Sequence, residues 1–234
     1  MAVWLLALFG KGRAMKAKVI GAVVAALLLT MVSAAGAWEV DLISLVDLQY
    51  ARGYWSLVNG ELWTGGRGLG ADPASLEIYY HPPTEYDLHL DMYIQKADNI
   101  SFMLPYQGLP VGVIFASYER WNGFTSFDEA IYKTVDQYLP QGDYQVDIKI
   151  RAEEINVFMD GAFFMAYTGL AQDIMMGDAW LVAGGYGGTL DPLNIGIVSY
   201  ASNVTFHEIT VVPEPATLSL LALGGLAMMR RRRK

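Results

Sequence analysis

Between residues 38 and 212 no apolar pattern repeats with the 3.6-residue period of a helix. That property excludes bundles and strand–helix–strand folds, which need amphipathic segments of ten residues or more. Short runs with a period of two take its place. Tyr86, Leu88, Leu90, Met92 and Ile94 alternate with Asp87, His89 and Asp91, so the apolar set faces a core and the polar set faces water. Residues 144–151 alternate in the same way. Residues 54–63 and 155–164 each read as strand, turn, strand. Their central dipeptides, Asn59-Gly60 and Asp160-Gly161, suit the left-handed backbone of a two-residue hairpin. Residues 193–198 and 203–211 read as closing strands, and residues 127–138 are compatible with a short helix. About a dozen strands with no helix between them imply an all-β domain of two packed antiparallel sheets. An N-terminal signal helix and a C-terminal apolar helix are expected to flank this sandwich.

Charge divides the chain into the same three parts. Residues 38–212 hold seven basic residues against 23 acidic ones, a net charge of −16. Such a domain repels phosphate backbones, which sets nucleic acid aside as a partner. The chain has no cysteine, so disulfides and thiolate metal sites are excluded.

The basic residues cluster at the two ends. Lys16 and Lys18 precede an apolar run over residues 19–32, and Ala35 and Ala37 then stand at the positions that direct signal cleavage. Cleavage after Ala37 by an export pathway that begins at the translocon is expected, leaving Trp38 first; residues 1–37 are then an upstream extension plus the signal peptide, with Met15 as the expected true start. A domain over 38–211 follows. Residues 212–234 contain Pro213-Glu214-Pro215, an apolar run over 217–229 and the cluster Arg230 to Lys234. At about 1.5 Å per residue the run reaches only about 20 Å as a helix. That falls short of the roughly 30 Å of membrane hydrocarbon, so it suits a transient anchor with its basic end cytoplasmic.

This tripartite end resembles the PEP-CTERM sorting signal. The resemblance implies recognition of Pro213, Glu214 and Pro215 by an exosortase-type enzyme. It also implies delivery, after transient membrane anchoring, to the cell surface or matrix of a Gram-negative-type bacterium. The hairpins and their order, in residues 55–63, 86–94, 144–164 and 194–209, resemble the concanavalin A-like jelly roll. The laminin-G-like and 3-keto-disaccharide-hydrolase-like branches are the most similar.

Glucanases that share this fold resemble one another in placing carboxylates along one strand, as in Glu-x-Asp-x-x-Glu, and no such motif occurs here. Asp87 and Asp91 share a face but read as solvated. His81, His89 and His207 lack metal-ligand spacing. Residues 184–188, Gly-Gly-Tyr-Gly-Gly, lack the lysine and helix of a phosphate loop. The reading is therefore non-enzymatic binding of polysaccharide, with a glycoside hydrolase and a purely structural matrix component as alternatives. Aromatic faces grip sugar rings, and the candidates are Trp63, Trp121, Phe124 and Tyr186, with Tyr79 and Tyr80 beside them. Of these, Trp121 and Phe124 stand out because their segment, Trp121-Asn122-Gly123-Phe124, reads as a polar turn. No cofactor is called for, although Asp72, Asp191 and Asn194 leave calcium open.

Overall fold

The computed structural model describes residues 38–65, 74–117, 121–124, 132–175 and 191–214. Glu39–Pro213 forms one compact unit. The strands are β1 (Val40–Asp41), β2 (Trp55–Val58), β3 (Glu61–Gly65), β4 (Ala74–Ile78), β5 (Tyr86–Lys96), β6 (Asn99–Tyr106) and β7 (Leu109–Ser117). They continue as β8 (Trp121–Phe124), β9 (Tyr132–Asp136), β10 (Gly142–Ile150), β11 (Glu154–Met159), β12 (Ala162–Thr168), β13 (Ile195–Tyr200) and β14 (Asn203–Pro213). The only helical elements among the described residues are short 3-10 turns such as Leu48–Tyr50. The protein is an antiparallel β-sandwich. Its first sheet runs β12-β11-β10-β5-β14-β3-β2 with β1 also on β14, and its second runs β4-β13-β6-β7-β8-β9.

Three hairpins turn through consecutive positive φ angles. Asn59 and Gly60 have φ 54° and 85°, Asp160 and Gly161 have 51° and 74°, and Gln107 and Gly108 have 50° and 78°. These are the torsions whose twist matches the flanking strands. Along β5 burial alternates over Tyr86, Leu88, Leu90, Met92 and Ile94, and the core contains all five. The second sheet behaves differently. Every residue of β4, β6 and β13 except Tyr200 is buried. Met103, Ile114 and Val198 are at most 1 % exposed although they lie outside the inter-sheet core cluster. Both faces of β4, β6 and β13 are therefore buried, so burial does not alternate along them as it does along β5.

Two local expectations are corrected. Residues 132–136, inside the stretch compatible with a helix, form strand β9 paired with β8. Trp121-Asn122-Gly123-Phe124 is strand β8, not a polar turn, and Phe124 is fully buried in the core. The buried Asn122 accounts for the polar look of that segment. Its side chain accepts from the Ala116 N–H at 2.9 Å and donates to the Gln137 carbonyl at 2.9 Å, so it satisfies backbone groups where β7 bulges.

Candidate functional site: a cleft on the outer face of the first sheet

Outward residues of β5 and β10 in the first sheet form polar pairs. Asp87 bonds Arg151 at 2.6 Å and lies 3.9 Å from Lys149. Each of the three histidines of the chain bonds a carboxylate: His81 with Asp191 at 3.1 Å, His89 with Asp147, and His207 with Glu61 at 2.8 Å. The Asp87 and His89 face is thus an ion-paired surface and not simply a solvated one.

One place on this face is concave. On one side β14 pairs with β5, and its other edge is shared. Residues 203–206 pair with β3, and residues 210–211 pair with β1. His207 and Glu208 fall in the gap between those partners, at a register shift between Phe206 and Glu208. A bulge of this kind puts two consecutive side chains on one face. Both are exposed while Phe206 and Ile209 on either side are buried. The resulting cleft, about 440 Å³, is lined by Glu39, Asp41, Ile43, Gly60, His207, Glu208 and Thr210. Thr210 donates to Glu208 at 3.2 Å. The His207–Glu61 bond ties the cleft wall to β3.

Trp63 stands two residues beyond Glu61 on that strand, so both side chains share a face. Its indole lies over Gly65, whose missing Cβ makes room for the ring. Trp63 is 37 % exposed. A flat aromatic surface therefore shares a strand face with Glu61, the partner of the cleft residue His207, and the cleft itself carries carboxylates, an imidazole and a hydroxyl. These groups complement the apolar faces and hydroxyl edges of sugars.

The other expected residues are distributed elsewhere. Trp121 is half-buried on β8 in the second sheet. Phe124 is in the core and offers no face to a ligand. Tyr186, Ala35, Ala37 and Pro215 lie outside the described residues, as does the run over 217–229. Among the described residues no helix is long and apolar enough to cross a membrane, and no group of three His, Cys, Asp or Glu could hold a metal ion. Of the residues that left calcium open, Asp191 caps its own turn through the Leu193 N–H at 2.9 Å, and Asn194 donates to Glu77 at 2.6 Å. Asp72 is outside the described residues. Sequence reasoning missed Glu61, His207 and Glu208. Glu61 had a signal, its two-residue spacing from Trp63, while the bulge that exposes His207 and Glu208 together had none.

Residues 211–234 match the family described as the PEP-CTERM protein-sorting motif. The chain carries a PEP-CTERM sorting motif. That motif marks an exported protein, sorted through the membrane by exosortase-type processing before it reaches the surface. The structure shows where the motif begins. Pro213 is the final residue of β14 and pairs with Tyr86, and Glu214 follows outside the sheet. A search of curated protein sequences returns no match. Similar solved structures include a carbohydrate-binding module, CBM66, from Bacillus subtilis. It is 8 % identical with TM-score 0.47, over 69 % of this chain and 92 % of that one. A putative glycosyl hydrolase from Parabacteroides distasonis is 9 % identical with TM-score 0.48, over 79 % and 96 %. The galectin LEC-6 from Caenorhabditis elegans is 12 % identical with TM-score 0.39, over 64 % and 94 %.

Proposed function

We propose that this is a non-enzymatic surface or matrix protein whose sandwich binds polysaccharide at the cleft beside Trp63. The observation that carries the reading is the placement of Trp63, held over Gly65, on the strand face of Glu61, which bonds the cleft residue His207. The PEP-CTERM motif supports a setting in which surface glycans are at hand. The acidic charge of the domain favours neutral polymers over anionic ones. Residues 38–211 are the binding domain on this reading, the signal segment and sorting tail serving delivery.

The test is retention of the full-length chain, purified in mild detergent, on a panel of immobilised neutral polysaccharides. Binding to at least one polymer is expected, with a loss of about tenfold on Trp63→Ala, the equivalent of about 1.4 kcal/mol. No retention on any of them overturns the reading.

A second reading has one observation in its favour. Three carboxylates, Glu39, Asp41 and Glu208, line the same cleft, and glycoside hydrolysis needs an acid and a base or nucleophile. Release of reducing sugar that disappears in Glu208→Gln would favour hydrolysis over binding alone.

A further inference from the structure

We propose a second saccharide-stacking site, built by Tyr50 and Tyr79 on loops beside the β4 edge of the second sheet. The proposal rests on the carbohydrate reading of the domain but not on the Trp63 cleft. The two residues come from separate segments. Tyr50 ends the 3-10 turn Leu48–Tyr50, which Asp47 caps by accepting the Gln49 N–H at 3.1 Å. The chain then runs beside β4 through the Arg52–Ser75 bridge, with N–H to carbonyl bonds of 2.8 and 2.9 Å. Tyr79 follows β4 directly, where the Tyr80 N–H closes a tight turn on the Ile78 carbonyl at 2.7 Å. The rings meet edge to face, with centroids 5.1 Å apart and an interplanar angle of 74°.

Their exposure separates them from the structural tyrosines. Each is 53 % exposed. Tyr86, Tyr106, Tyr144 and Tyr167 all donate their hydroxyls to backbone carbonyls. Tyr50 and Tyr79 make no such bond among the described residues. An edge-to-face pair leaves ring surface open, and here it carries two hydroxyls that make no hydrogen bond among the described residues. Partial desolvation, then the Glu77 carboxylate, Tyr50 and Asp47, push the Tyr79 phenol up. The hydroxyl therefore stays a donor across the physiological range, with Glu77 and Asp47 near it.

The surroundings are polar and fixed. Glu77 is 7 % exposed. One of its oxygens accepts from Asn194 Nδ2 at 2.6 Å and from the Asp191 N–H at 3.2 Å. This buried carboxylate pins the 191–194 turn against β4, and Asp191 in turn holds His81 at 3.1 Å. An aromatic platform with its own hydroxyls, and with the Glu77 and Asp47 carboxylates near them, suits a sugar ring, whose C–H face stacks and whose hydroxyls bond at the edge. A proline-rich peptide would use the ring faces and hydroxyls but, lacking N–H groups at its prolines, would offer little to the carboxylates.

Two sites on one domain would engage one polymer together and raise its apparent affinity without any new contact. The experiment compares three full-length proteins in detergent by affinity electrophoresis through gels containing a β-glucan, an α-mannan or a galactan. They are the unchanged chain, Trp63→Ala, and Tyr50→Ser with Tyr79→Ser. Both tyrosines are exposed, so the double variant is expected to keep its thermal midpoint, which is measured alongside. The expected result is retardation of the unchanged chain and a loss of about tenfold in the tyrosine variant, again about 1.4 kcal/mol. Retardation that the tyrosine variant retains in full overturns this proposal and leaves the Trp63 reading standing. No retardation of the unchanged chain overturns both. A synthetic proline-rich peptide that binds through the two tyrosines while no saccharide does so also overturns it.

Discussion

A Cβ built on Gly65 would lie 2.2 Å from Cη2 of Trp63, so the indole occupies the space that any other residue's side chain would need. The obstructing atom is the far end of a movable side chain and not backbone. Gly65→Ala is therefore expected to displace the ring at little cost in stability. The saccharide affinity of the full-length chain should fall about tenfold, as in Trp63→Ala, a change of about 1.4 kcal/mol. The thermal midpoint should stay within a few degrees. Unchanged affinity in Gly65→Ala would show that the posture of Trp63 does not matter to binding.

Gln107 occupies the first position of a hairpin turn with φ 50°, where asparagine or aspartate is usual. Its side chain explains the choice. Nε2 donates to the Ala152 carbonyl at 2.8 Å, and Oε1 accepts from the Ala171 N–H at 3.0 Å. Gln107→Ala should destabilise the fold by about 2 kcal/mol, from about 1 kcal/mol for each bond lost. Gln107→Asn should lose less, because asparagine tolerates the left-handed backbone. Denaturant unfolding of the three proteins checks the order.

Burial pushes the Tyr86 phenol far up from its ordinary 10.0, with Tyr80 adding to the shift. The unfolded chain ionises this group near 10.0 while the folded chain does not. The stability it contributes is therefore full below pH 10 and is lost progressively as pH rises above it. Tyr86→Phe removes the bond to the Pro105 carbonyl at 3.2 Å and should cost about 1 kcal/mol at neutral pH. Its alkaline unfolding should be shallower than that of the unchanged chain. Urea midpoints between pH 8 and pH 11 measure both effects.

Arg151 bonds the Asp87 side chain at 2.6 Å and donates to the Tyr86 carbonyl at 3.2 Å. Both side chains are about four-fifths buried. Asp87→Asn and Arg151→Gln are expected to couple in a double-mutant cycle by about 1 kcal/mol, between exposed and fully buried pairs. Additive effects would mean that the pair contributes only through its backbone bond.

The strands legible in the sequence are those with one wet face. β5 and β10 carry strict alternation, and the Asn59-Gly60 and Asp160-Gly161 turns announce their hairpins. β6 and β7 carry no alternation, because both faces are buried and their residues are apolar or small on each. Their turn is hidden as well, since Gln107 is selected for its tethers and not for its backbone preference. At the site, Trp63 was legible as an aromatic beside a turn. Phe124 was not separable from it, because a buried Asn122 gives its strand the composition of a loop. The His207–Glu208 bulge depends on where β3 stops and β1 begins along β14, a property of pairing between strands far apart in sequence that no local pattern encodes.

β14 ends at Pro213, the first residue of the sorting tripeptide, and through most of its eleven residues it lies between β5 on one side and β3 and β1 on the other. Tension applied at Pro213 along the axis of this strand would load the rungs joining it to β5 side by side and in shear, where many must fail together. A tail leaving from an edge strand at right angles would peel one rung at a time. The tail thus leaves from an interior strand of the sheet and not from an edge.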